Sequence, residues 1–147
     1  MSFLDSINIS ASALTAETLR MDIISKNIAN ANTTRTANGT PYRRQVVVFQ
    51  EDNKNIPFSN FLTSELNKFN KGGVKVSAVI EDKSKFKMVY NPGHPDANVK
   101  GYVQMPNVDI MIEMVNMISA TRAYEANITS INSTKNIIMK ALDIGRI

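Results

Sequence analysis

Both ends of this chain are long stretches without a helix breaker, and each carries an apolar stripe whose period is that of helices wound on partners. From Asp5 to Asn30 there is neither glycine nor proline, and Ile7, Leu14, Met21 and Ile28 recur every seven residues. That interval returns one side of a slightly underwound helix to the same neighbour. Between them Ala11, Thr18 and Ser25 are small or polar, so the stripe is narrow and its partner can come close. At about 1.5 Å per residue this helix extends for about 39 Å, a rod more than a core element.

A second helix is expected from Asn107, which can cap the first turn while Pro106 blocks extension backwards and Asp109 favours the positive end. It runs to about Asp143, with Lys140 in its last turn and Gly145 beyond as terminator. Steps of four and three connect Ile110, Met114, Met117, Thr121, Tyr124, Ile128, Ile131, Lys135, Ile138 and Leu142, broken in character only by Thr121 and Lys135. In Val108–Ile118 the polar residues Asp109, Glu113 and Asn116 form one thin strip on an otherwise apolar cylinder. Such a helix must be covered on most sides.

The middle, residues 33–105, has the turns and the strand patterns. Asn38-Gly39-Thr40-Pro41 is a turn cluster, followed by a strand over Tyr42–Gln50 with the β-branched run Val46-Val47-Val48. Gly72-Gly73 precedes a second strand, in which alternation puts Val74, Val76, Ala78 and Ile80 on one face. Phe86, Met88 and Tyr90 alternate before Asn91-Pro92-Gly93, a type II turn signal. Residues 51–71 are undecided between a loop and a short helix around Phe61–Phe69.

The expected fold is therefore mainly α with a small β region: terminal helices (1–32 and 106–147) paired as a coiled-coil-like unit, and a β-rich segment at 33–105. Two helices leave about 70 residues for that segment, marginal as a free-standing domain. A helix pair with no third layer cannot cover the Val108–Ile118 cylinder, so other subunits are expected to supply the cover, in a polymer.

Composition narrows the chemistry. The chain has no cysteine, which excludes disulfides, thiolate metal sites and cysteine nucleophiles. No secretory leader precedes the first helix, and no run of 18 apolar residues is long enough to span a membrane. The net charge of +4 is mild and scattered. His94, the sole histidine, lies in a turn with no second ligand and is read as a solvent-facing loop residue. Asp109 and Glu113 stand one turn apart, but nothing builds a pocket around them, so they read as the wet strip of a mostly buried helix. Gly72-Gly73 lacks the Lys-Ser/Thr of a phosphate loop and reads as a turn or bulge. Arg43-Arg44 beside Tyr42 would suit an anionic partner or, more commonly, a strand edge protected against unwanted pairing. The methionines of the second helix fit either adaptable core filling or a surface that meets several non-identical neighbours.

These residues also carry a family likeness. Asn27-Ile28-Ala29-Asn30-Ala31-Asn32-Thr33-Thr34, ending the first helix, resembles the Asn-rich signature of the flagellar rod, hook and hook-associated axial proteins. Lys100–Asp109, which includes Pro106 and Asn107, followed by Glu113–Asn127 with Asn116, is similar to the C-terminal signature of the same family. Pro41-Tyr42-Arg43-Arg44, Gly72-Gly73-Val74, Val89–Ala97 and the short length resemble its proximal-rod members. The resemblance implies a structural subunit with no cofactor, exported through the flagellar type III apparatus without a cleaved leader. It implies assembly in the basal body with copies of itself and sibling rod proteins, the terminal helices forming the inner tube wall. A basic coiled-coil adaptor binding nucleic acid or membrane is the rival reading, and an enzyme the weakest.

Overall fold

The computed structural model describes residues 3–52 and 72–145. The undecided stretch and the short helix considered around Phe61–Phe69 lie outside the described residues. In chain order the elements are helix α1 (Phe3–Ala29), strands β1 (Gln45–Asp52), β2 (Gly73–Glu81), β3 (Lys87–Tyr90) and β4 (Tyr102–Met105), and helix α2 (Ile110–Ile144). Two long terminal helices thus enclose a small β region, as the periodicities require.

The helices run antiparallel. Asn27, near the end of α1, bonds Glu113 in the first turn of α2, while Met21 meets Thr121 two turns further along, with the hydroxyl 3.8 Å from the thioether sulfur. Ile7, Leu14, Met21 and Ile28 are all half-buried. Among the described elements α2 touches only α1, so its buried positions mark the contact face. Those positions run Glu113, Met117, Ala120, Tyr124, Asn127, Ile131, Thr134 and Ile138 in steps of four and three, flanked by the half-buried Asn116 and Ala123.

On its other side α1 supports the β1–β2 hairpin, an antiparallel ribbon in which Gln45 pairs with Glu81 and Asp52 with Gly73. The ribbon is anchored near both ends: the Asn27 amide donates to the Gln45 carbonyl at 2.8 Å, and the Val74 N–H donates to Ser12 Oγ at 3.0 Å. Between them Arg20 lies over the Phe49 ring. The register shifts between Val48 and Phe49, which pair with Ala78 and Val76 and leave Ser77 as an extra residue. This bulge interrupts the expected Val74–Ile80 alternation, and Val74, Ala78 and Ile80 are exposed.

The β3–β4 hairpin is held to the rest by polar and ring contacts. Arg43 stacks on Phe86 at 4.3 Å, and Thr34 donates to Asp96 at 2.8 Å. Inside the hairpin, Gly101 at φ +77° closes the loop where an added Cβ would sit 2.8 Å from the Tyr90 ring, so only glycine fits. His94 is half-buried, its Nδ1 accepting from the Asp96 N–H at 3.1 Å. The expected type II turn is corrected here: His94 N–H does bond the Asn91 carbonyl, but Gly93 has no positive φ, as a type II turn would need. Proline at the second position suits a type I turn equally well, and the left-handed residue of the loop is Gly101.

The start of the second helix is also corrected. Its N-cap is Asp109, whose Oδ1 accepts from Met111 N–H at 3.0 Å and Ile112 N–H at 3.4 Å. Asn107 is not free to cap, because its amide oxygen accepts from Arg44 N–H and its nitrogen donates to Asp82 O and Ser84 Oγ. Gly145 is the C-cap, as expected.

Within the described residues the apolar core is slight. The buried apolar side chains there are Ala16, Ile24, Ala31, Tyr42, Val103, Val108 and Ala120, together with Pro41 and Pro106. Ala31, Tyr42 and Val108 form one cluster where the chain leaves α1 and enters α2.

Candidate functional site: a buried polar joint beneath an uncovered helical face

Several residues that the sequence signatures single out, Asn27, Glu113 and Asn116 with Tyr42 and Arg44, meet where α1, β1 and α2 converge. At the centre is Glu113, 1% exposed, on the first turn of α2. Its Oε1 accepts from Arg44 Nε at 2.9 Å, Arg44 Nη2 at 2.8 Å and Asn116 Nδ2 at 3.3 Å. Its Oε2 accepts from Asn27 Nδ2 at 2.9 Å. Asn27 is equally buried, and its amide is fully used, since the oxygen takes the Tyr42 hydroxyl and the Gln45 N–H, both at 2.9 Å. The ion pair extends to Asp82, 3.6 Å from Arg44 Nη1.

The electrostatics follow from this enclosure. Burial, then the Glu113 and Glu81 carboxylates, push the Tyr42 phenol above its usual range, keeping it the donor that Asn27 needs. The Ser84 backbone N–H, against the cost of desolvation, holds Asp82 below the usual carboxylate range, with the Ser84 hydroxyl and Arg44 adding to it. Asp109 is lowered chiefly by the Ile112 backbone N–H, with Lys87 contributing at 3.5 Å.

Two readings are overturned by this geometry. Glu113 is not part of a wet strip, and it makes no pair with Asp109, which faces Lys87. Arg44 does not guard a strand edge; it neutralises Glu113, while Arg43 bonds the Asp82 and Ser84 carbonyls. Both arginines are therefore engaged within the chain.

Polar residues turned inward leave apolar ones outside. Glu113 is buried and Asn116 half-buried, while Ile110, Met111, Ile112, Met114, Val115 and Ile118 are exposed, Met111 to 72% and Val115 to 65%. The first turns of α2 are thus inverted relative to a helix that ends its packing within one molecule. Further along, Met117, Tyr124, Ile131 and Ile138 are half-buried, whereas Ile128 and Leu142 are exposed.

The remaining signature residues have local tasks. Asn30 Nδ2 donates to the Lys26 carbonyl at 2.9 Å, ending α1, and its oxygen accepts from Thr33 Oγ1. Asn32 is exposed. None of these asparagines takes the left-handed conformation that asparagine tolerates, since no described residue other than glycine has positive φ. Gly73 packs against α1, where a Cβ would fall 2.5 Å from Ser12 Oγ, and Gly72 lies beside the Glu51 side chain. Among the described residues no cluster of acids and histidine is placed to hold a metal ion, and no helix is long and apolar enough to cross a membrane.

A slight core, paired helices and an apolar face turned outward define a structural subunit, a piece of a larger assembly. Residues 7–35 match the family described as "Flagella basal body rod protein", and residues 99–144 match "Flagellar basal body rod FlgEFG protein C-terminal". The chain belongs to the flagellar basal-body rod protein FlgC family. It is 52% identical to the member from Bacillus subtilis, covering 99% of this chain and all of that one. It is also 46% identical to the member from Borreliella burgdorferi, over 98% of each chain, and 41% identical to that of Salmonella typhimurium, over 99% of this chain and all of the relative.

Proposed function

We propose that this protein builds the proximal part of the flagellar rod, with its terminal segments (1–32 and 106–147) as the polymerising unit and residues 33–105 as an outer element. The inverted first half of α2 carries the reading. Apolar side chains that α1 leaves exposed become buried when copies of the chain and sibling rod proteins pack around them. The seam of Ile7, Leu14, Met21, Ile28, Ile110, Met114, Met117, Tyr124, Ile128, Ile131, Ile138 and Leu142 divides accordingly. Its half-buried members join the two helices, and its exposed members, Ile110, Met114, Ile128 and Leu142, join subunits.

A shaft that transmits torque needs many buried contacts around its circumference, and long helices with methionine-rich faces supply them. The role asks for no catalysis and no cofactor. With so slight a core among the described residues, the chain also passes readily through a type III export channel before it folds against its neighbours. With Arg43 and Arg44 engaged inside the molecule, the rival nucleic-acid or membrane adaptor loses the basic pair on which it rested.

Val115→Glu tests the proposal. The side chain is exposed and faces away from α1, so the purified variant keeps the helicity of the parent. In cells lacking the native protein the variant is expected to leave no complete basal bodies by electron microscopy. Normal numbers of basal bodies and normal swimming would refute it.

A further inference from the structure

The helix pair has a built-in ambiguity. The α1 stripe repeats every seven residues, and so do the rows facing it on α2: Glu113, Ala120, Asn127 and Thr134 in one, Met117, Tyr124, Ile131 and Ile138 in the other. Two stripes of one period fit together again after a slide of seven residues, and apolar contact alone discriminates weakly between such alignments. Among the residues of these two rows only Glu113 is charged, and it is the buried carboxylate at the start of α2.

We propose that Glu113 is a positioning residue, the bolt of a register lock that fixes α2 against α1 and the β1–β2 hairpin. A buried ion pair is poorly suited to adding stability, because desolvation cancels much of its attraction. It is well suited to excluding alternatives, as a single buried polar side chain does in coiled coils.

The geometry has the three arms a lock requires. Glu113 reaches α1 through Asn27 and the entry to β1 through Arg44, and it reaches α2 itself through Asn116. Asn27 has no spare hydrogen-bonding position, since Gln45 and Tyr42 take the rest. After a seven-residue slide, Ala120 or Pro106 would stand where Glu113 now faces Asn27. Neither has a side chain able to bond the Asn27 amide or neutralise Arg44. Each slipped alignment therefore strands several buried polar groups at once, a far larger penalty than the apolar mismatch it avoids. The lock concerns the register of one molecule's own helices and holds whatever the assembled protein does.

The chain has no native cysteine, so introduced pairs report register directly. Met21→Cys with Thr121→Cys reads the observed alignment, in which these side chains touch. Met21→Cys with Met114→Cys, or with Ile128→Cys, reads the two slipped ones. In the otherwise native full-length chain, mild oxidation is expected to cross-link only the first pair. In the Glu113→Met/Arg44→Met background the protein should melt at the same temperature or higher, while the slipped pairs rise by about tenfold or more, the loss of one to two net hydrogen bonds. A variant still confined to the native cross-link would overturn the proposal. Should that background fail to fold, Asn27→Ala, which keeps the ion pair but cuts its tie to α1, decides by the same readout. Slipped cross-links there support the lock, and an unchanged pattern refutes it. Motility plays no part in the test, so its outcome is separate from that of the rod assignment.

Discussion

Arg44 commits two guanidinium N–H groups, at 2.9 and 2.8 Å, to a single oxygen of Glu113, leaving the other oxygen to Asn27. The two side chains are unequal partners, since the carboxylate is 1% exposed while the guanidinium reaches the surface. Removing the guanidinium would strand a carboxylate that its neighbours have enclosed.

Arg44→Ala is accordingly expected to cost about 3–5 kcal/mol, the range for leaving a buried charge without its partner. Against a core this slight, that is enough to abolish cooperative unfolding in urea. The paired methionine replacement, which removes both charges, is expected to retain it.

Acid should loosen the start of α2. Asp109 has a lowered pKa because its charged form accepts the Ile112 and Met111 amides, and Asp82 is lowered chiefly by the Ser84 amide. A carboxyl lowered on folding stabilises fully above its unfolded pKa, about 3.9, and that contribution is lost as the pH falls through the lower folded value. The protection of the Met111 and Ile112 amides relative to their intrinsic exchange should therefore hold down to about pH 4 and fall below it. Asp109→Asn keeps a capping oxygen without a titrating group, so this protection should become nearly independent of pH in that window.

The glycine pair should separate under substitution. Gly73→Ala places a Cβ 2.5 Å from Ser12 Oγ, where α1 backs the sheet, and is expected to cost about 1–3 kcal/mol in thermal unfolding. Ser12→Ala in the same chain removes the nearer contact and should recover part of the loss. Gly72→Ala meets the Glu51 side chain, its Oε1 at 2.6 Å, away from α1, and should cost less than Gly73→Ala.

Within the Asn-rich signature the three side chains are expected to grade by enclosure. Asn27→Leu breaks four hydrogen bonds at a buried site and should abolish swimming. Asn30→Leu loses one bond to the end of α1 and one from Thr33, and should reduce swimming on soft agar. Asn32→Leu, exposed, should leave it intact.

The long elements were legible because their signals are local. Freedom from Gly and Pro marks α1 and α2, and β-branched runs mark β1 and β2 to within a few residues. What escaped was decided by distant partners. Asn107 reads as a cap until Arg44, Asp82 and Ser84 claim its amide, and Asp109 then takes over two residues later. Glu113 and Asn116 read as a wet strip because a hydrophobicity pattern assigns polar residues to solvent. The arginine that reverses the assignment lies 69 positions away in the chain. Periodicity likewise locates two adjacent rows on α2 without saying which faces α1, since both repeat alike. The signature asparagines and Glu113 were visible as a pattern, but their convergence on Tyr42 and Arg44 was not.

Ala120 has no exposed surface at all, and α1 is its neighbour. A single methyl group therefore sets how near the two backbones lie at that level. In a lone molecule a bulkier side chain there would be a small wedge. In the proposed assembly of many copies the wedge would recur in each, and the error would accumulate from one subunit to the next.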